Sequence, residues 1–263
     1  MSEAAPAPAL EAAPALRARD LRLTLGETEV LGDLSLAVAP GEIVALVGPS
    51  GCGKSTLLAV LAGLLEPDSG ELLIDGRPDE GRLGRLTLMP QHDALLPWRT
   101  LLDNVALGPS LAGDDRERAG REARRALDRF GLAGFEDHYP RALSGGMRQR
   151  AALARTLLGG ARAWLLDEPF GALDALTRAD LRGVLAAAWA QARPTTLLVT
   201  HDLDEALLVA DRVLVSSPRP ARVVHEVSVG LPRPRTPEDA GRPELVRLRA
   251  SLLDALRGIG ALA

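Results

Sequence analysis

Gly48-Pro49-Ser50-Gly51-Cys52-Gly53-Lys54-Ser55 is the stretch that decides how this chain folds. Its spacing, G-x-x-x-x-G-K-[ST], is that of a phosphate-binding loop. Lys54 is the only lysine; every other basic side chain is an arginine. A compact ammonium slips between the oxygens of adjacent phosphates, whereas a planar guanidinium is wider and prefers bidentate partners. The flanks agree. Ile43–Val47 is a short, fully apolar run that reads as a buried strand, and Thr56–Leu65 reads as a helix. Backbone N–H groups and the helix N-terminus between them cradle a polyphosphate. Gly48, Pro49, Ser50, Gly51, Cys52, Gly53, Lys54, Ser55 and Thr56 are therefore the first binding candidates. Cys52 lies close to Lys54 and to the positive end of the following helix, which predicts a reactive thiol.

Composition bounds the rest. The 263 residues carry 46% hydrophobic side chains, ample for one large α/β domain or a core with a subdomain. A formal net charge of −4 argues against a nucleic-acid partner. The single cysteine allows no internal disulfide and suits a reducing compartment. No run approaches the roughly 18 apolar residues of a membrane span. Met1–Ala15, rich in Ala and Pro with two glutamates, reads as a disordered tail and not as a signal peptide.

Along the chain, Leu16–Val38 alternates apolar and polar residues and predicts antiparallel strands. Leu72–Asp75 and Leu86–Met89 read as further strands, and the pattern turns helical from Asp103 to about Leu158. The Arg/Glu-rich run Asp115–Arg129 reads as a solvated helix face. Strands at Ala163–Leu166, Thr195–Thr200 and Val213–Val215 alternate with helices near Leu176–Gln191 and Leu203–Val209, which implies a mostly parallel sheet. Pro218–Pro243 reads as strand fragments plus linker, and a last helix presents Leu245, Leu248, Leu252 and Leu256 on one face.

Further constellations carry chemistry. Leu143-Ser144-Gly145-Gly146-Met147 offers a hydroxyl and two unobstructed amides at a helix start, a second anion site. Trp164-Leu165-Leu166-Asp167-Glu168 is an apolar strand ending in two acids, and buried strands rarely end so without a cation nearby. Asp167 suits holding Mg²⁺ and Glu168 suits deprotonating a water. Ala172-Leu173-Asp174 follows closely, His201 ends the strand Thr195–Thr200, and Gln91 stands at the exit of a short strand after Met89-Pro90.

In that order these residues resemble the ATP-binding subunit of an ABC transporter, over nearly everything from Leu21 to Ser216. The corresponding elements are a Walker A loop (Gly48–Thr56), a Q-loop (Gln91), a signature (Leu143–Met147), a Walker B strand (Trp164–Glu168), a D-loop (Ala172–Asp174) and a switch histidine (His201). The resemblance implies an α/β P-loop NTPase core with an N-terminal antiparallel β-subdomain and an inserted helical subdomain at about 98–160. The nucleotide-binding domain would span 16–235, followed by a helical tail at 236–263. It implies ATP and Mg²⁺ as cofactors, with Ser55, Gln91 and Asp167 at the metal. Lys54, Glu168 and His201 would be catalytic, Glu168 as the general base. It further implies a head-to-tail homodimer, in which Ser144, Gly145 and Gly146 reach the partner's ATP and the D-loop Asp174 lies nearby. A separate membrane permease would dock at the Q-loop groove, with a solute-binding protein acting indirectly and no nucleic acid involved. The expected place is the cytoplasmic face of a bacterial inner membrane.

The chain departs from the pattern twice. Met147 stands where many relatives have Gln, and Leu25 stands where an aromatic usually stacks on adenine, with no Phe, Tyr or Trp before Trp98. Leu25 is still the candidate for the base. The wording Met89-Pro90-Gln91…Leu95-Leu96-Pro97-Trp98-Arg99 resembles importers for nitrate, sulfonates, taurine or thiamine pyrimidine precursors, with a lean toward the last. A G-protein reading fails for want of an Asn-Lys-x-Asp motif. An exporter subunit uses the same engine and stays open at this level, whereas a soluble ABC ATPase of DNA repair or translation is the weaker alternative, because the sequence shows neither a long coiled-coil insertion nor a second cassette.

Overall fold

The computed structural model describes residues 15–78, 84–161, 163–171 and 173–260. All of the expected tail except Ala15, and the D-loop residue Ala172, lie outside the described residues. In chain order, β1 (Leu16–Leu25) and β2 (Thr28–Val38) form a hairpin, and β3 (Ile43–Val47) leads into α1 (Lys54–Leu61). Next come β4 (Ser69–Ile74), β5 (Arg77–Pro78) and β6 (Thr87–Met89). Helices α2 (Leu101–Val105), α3 (Leu107–Leu111), α4 (Arg116–Arg129) and α5 (Gly145–Leu157) separate β6 from β7 (Ala163–Asp167). Then follow α6 (Ala175–Ala192), β8 (Thr195–Val199), α7 (Leu203–Val209), β9 (Arg212–Ser216), β10 (Val223–Ser228) and α8 (Pro243–Gly258).

The strands make two sheets. One is antiparallel, in the order β2-β1-β4-β5. The other runs β10-β9-β3-β8-β7-β6, with β9, β3, β8, β7 and β6 mutually parallel and β10 antiparallel at the edge. Strands β3, β7 and β8 are buried at every residue, because both faces of the parallel sheet are covered. Val44 and Leu46 face one cluster, in which Leu57, Leu58 and Leu61 of α1 lie against the antiparallel sheet. Ile43, Ala45 and Val47 face the other, built with residues of α5, α6, α7 and α8.

Helix α1 is shorter than the expected Thr56–Leu65. It starts at Lys54 and closes in a glycine turn, where Gly63 takes φ +77°. Gly63 N donates to Val60 O at 3.0 Å and Leu64 N to Ala59 O at 2.9 Å, a Schellman closure that ends the helix despite the apolar residues beyond. In α4, Ala119, Ala123 and Leu127 recur at helical spacing and are buried, while Arg118–Glu122 and Arg121–Glu117 pair on the solvent side. Pro218–Pro243 is more ordered than the expected linker: β10 adds a full edge strand to β9. Arg235 is buried and donates to the carbonyls of Leu207, Ala210, Val229 and Leu231, which pins the chain ahead of α8. Leu245, Leu252 and Leu256 of α8 are buried and Leu248 packs beside them.

Candidate functional site

The strand order places the sequence candidates side by side. The carboxyl ends of neighbouring parallel strands carry the phosphate loop (β3), His201 (β8), Asp167-Glu168 (β7) and Gln91 (β6). Ligands of open α/β sheets bind at this edge.

The loop from Gly48 to Gly53 joins β3 to α1 without helical residues of its own. Gly53 takes φ +124°, and a Cβ there would lie 3.0 Å from Val30 Cγ1, so neither backbone nor space allows a side chain. Lys54 is 7% exposed, and its Nζ donates to the carbonyls of Gly48 (3.0 Å) and Pro49 (2.8 Å). The ammonium thus lies along the loop, held by weak neutral acceptors that phosphate oxygens can replace. The expectation of a reactive Cys52 needs correction. Its thiol is buried, with Sγ 3.6 Å from Ser216 Oγ and 3.7 Å from Lys54 Nζ, so reagents have no path to it.

Asp167 is the last residue of β7 and is buried. Desolvation pushes its carboxyl above the ordinary range, Glu168 adds to this, and a hydrogen bond with Ser55 together with nearby Lys54 opposes it. A buried acid touching the hydroxyl of the first helical turn is an oxygen donor pair suited to a hard cation. Mg²⁺ keeps several waters and takes few protein ligands, so the residues present fit it. Among the described residues, no cluster of three or more His, Cys, Asp or Glu offers a competing site.

Glu168 takes φ +46°, a left-handed backbone that a β-carbon disfavours. Its N–H still donates to Val199 O at 2.8 Å, so the chain kinks while held to β8. The kink turns the carboxylate along the sheet edge. Oε1 lies 3.1 Å from His201 Nδ1, and Oε2 accepts from Gln91 Nε2 at 3.4 Å. Lys54, Ser55 and Asp167 thus form one group, and Gln91, Glu168 and His201 an adjoining one.

Other candidates lie apart. Ser144 caps α5, its hydroxyl accepting from Met147 N at 3.2 Å, and Gly145 is exposed. Among the described hydrogen bonds, none joins Ser144, Gly145 or Gly146 to the phosphate loop. Asp174 caps α6 through Thr177 N (3.1 Å) and Thr177 Oγ1 (2.7 Å). Leu25 is 44% exposed at the tip of the β1–β2 hairpin, paired with Thr28.

Sequence reasoning missed the contacts that hold these groups. Gln149 is buried in α5 and donates to Pro169 O at 3.1 Å and Glu168 O at 3.4 Å. Asp93, two residues past Gln91, pairs with Arg148 at 2.9 Å, and Arg155 donates to the carbonyls of Asp93 and Ala94. Asn104 is fully buried and bonds Leu96, Arg99 and Thr100 backbone groups, fixing the turn that carries the exposed Trp98. Arg178 joins Leu173 O (3.1 Å) to Asp202 (3.5 Å), the residue after His201.

Comparison with known proteins shows the family. The sequence profile of the family described as ABC transporter matches residues 31–171. The chain is 45% identical over 249 residues to the aliphatic sulfonates import ATP-binding protein SsuB 2 of Burkholderia cenocepacia, covering 94% of this chain and 88% of that one. It is 45% identical over 199 residues to the taurine import ATP-binding protein TauB of Yersinia pestis, covering 76% and 78%. A solved dimeric ATP-binding cassette, MJ0796 in a post-hydrolysis state with ADP and Pi, superposes with a TM-score of 0.74. It is 29% identical, over 81% of this chain and 98% of that one.

Proposed function

Because the chain belongs to the ABC transporter family, we propose that it is the ATP-hydrolysing subunit of a bacterial importer, acting as a head-to-tail dimer beneath a separate membrane permease. The solute class favoured by the relatives' names is the organosulfonates, taurine included, ahead of nitrate or thiamine precursors. Among the described residues no helix is long and apolar enough to cross a membrane, in keeping with a peripheral place on the cytoplasmic face.

The observation that carries the reading is the Glu168 carboxylate, held between His201 and Gln91 beside the phosphate loop. With a triphosphate in the loop, Lys54 leaves the Gly48 and Pro49 carbonyls for phosphate oxygens. Ser55, Asp167 and Gln91 would hold Mg²⁺, which neutralises charge on the phosphates. Glu168 takes the proton of the attacking water, and His201 keeps that carboxylate oriented while contacting the γ-phosphate. Ser144, Gly145 and Gly146 serve the partner's nucleotide, in keeping with the absence, among the described hydrogen bonds, of any that joins them to this chain's own loop. The α2–α5 insertion carries this signature within a nucleotide-binding domain spanning 16–235. Trp98 is 71% exposed on a turn pinned by Asn104 close to the Gln91 segment, and an exposed aromatic on a rigid turn is the kind of anchor a permease helix would use.

Deleting the gene and supplying an alkanesulfonate or taurine as sole sulfur source tests this reading. Growth should fail, return with the intact gene, and not return with a Lys54→Ala allele. Unimpaired growth on both sulfonates would contradict the solute class.

A further inference from the structure

We propose that Ser216–Ala221 is a strap that shapes the phosphate loop, and that Arg219 within it is a positioning residue for the bound triphosphate. The inference rests on reading Gly48–Ser55 as the triphosphate cradle. Each glycine of the loop is backed by this segment. A Cβ at Gly48 would lie 2.9 Å from Ser216 O, and one at Gly53 would lie 3.5 Å from Ala221 Cβ. Between them, Arg219 Nε donates to the Gly51 carbonyl. Both ends of the strap are anchored. Ser216 ends β9, fully buried against Cys52, while Ala221 N donates to Val30 O (2.8 Å) and Ala221 O accepts from Gly32 N (3.1 Å).

The physical argument concerns one peptide plane. In a loop that binds anions through N–H groups, each carbonyl points opposite to the N–H of its own peptide. Gly51 takes φ +73°, a conformation glycine enters and leaves at little cost. The guanidinium donates to its carbonyl through a charge-assisted bond, which biases the Gly51–Cys52 peptide toward one orientation. The N–H of that peptide, on Cys52, makes only a long 3.3 Å bond to Pro49 O and is available to a phosphate oxygen. Arg219 is exposed, so its role is local to the loop.

The test compares Arg219→Ala and Arg219→Gln in the full chain, titrating ATP and inorganic tripolyphosphate and measuring KM and kcat. Arg219→Ala should weaken both ligands by the same factor, about five- to tenfold, in the range of one net intramolecular hydrogen bond. KM should rise equally while kcat and the ligand-free melting temperature hold. Glutamine places its Nε2 where arginine has Nε, so Arg219→Gln should recover most of the loss. Should Arg219→Ala not fold, Arg219→Met takes its place. If Arg219→Gln binds as poorly as Arg219→Ala and the deficit vanishes at high salt, only charge attraction is at work and the positioning role fails. It fails too if ATP weakens while tripolyphosphate does not, because Arg219 then meets the base, or if neither changes. Wild-type protein that binds neither ligand would instead remove the cradle reading itself.

Discussion

His201 Nδ1 lies 3.1 Å from Glu168 Oε1, which joins the ends of two adjacent parallel strands through one hydrogen bond. In the proposed mechanism the ring nitrogen facing the carboxylate oxygen is the donor, and Nε2 is the nitrogen left for the phosphate. His201→Ala should therefore lower kcat by about 10²-fold, the lower range for loss of an acid–base group. KM for ATP should change little, because the loop and Lys54 are untouched. Steady-state ATPase assays decide it; an intact kcat would remove His201 from the mechanism.

Glu205 sits four residues beyond His201 in α7 and is 3% exposed, with Oε1 buried and unpartnered. Burial first, then Asp202, pushes its carboxyl up to about 8, opposed by Thr200, Arg178 and Arg182. The folded chain thus keeps a proton that the unfolded chain releases near 4.5, so stability falls as pH rises from about 4.5 to about 8 and levels off above. Glu205→Gln should add stability most at pH 9, by on the order of a few kcal/mol, so that the melting temperature rises most there and least below pH 4.5. Calorimetric melts across that range provide the check. A pH-independent difference would mean that the carboxyl titrates alike in the folded and unfolded chain and is not shifted by burial.

What was legible in the chain follows a physical division. The phosphate loop, the Asp167-Glu168 strand end and His201 each combine a chemical type with a local pattern, so they could be read in order. Even the buried sheet was legible, as apolar runs bounded by breakers. The supports were not. Arg148 and Asp93 are 55 residues apart, and Gln149 reaches backbone carbonyls 19 and 20 residues away, contacts that no local periodicity encodes. Pro218–Ala221 lay within the Pro- and Arg-rich stretch that read as strand fragments plus linker, and nothing local to it signals the loop that it backs. Cys52 misled for a related reason: helix-end chemistry was evident, but burial against Ser216 was not.

Leu25 is exposed at the hairpin tip, where it offers a face to a base but no flat π-surface. Leu25→Tyr should tighten ATP binding about two- to tenfold, the increment of about 0.5–1.5 kcal/mol found for aromatic pairs beyond area burial. Tripolyphosphate, which has no base, should bind both proteins alike. Equal ATP affinities would show that another group covers the adenine.

The most direct test of the account is Glu168→Gln, which keeps the side chain's shape and an oxygen that can accept from one of its two partners, His201 or Gln91, while removing the carboxylate proposed as the base. Turnover should fall by about 10²–10⁴-fold, with ATP still bound. In the proposed dimer the partner's Ser144–Gly146 completes each site, so size-exclusion chromatography with ATP and Mg²⁺ should show the variant trapped as a dimer. Wild-type turnover by Glu168→Gln, with no ATP-dependent dimer, would contradict both the assigned base and the shared site.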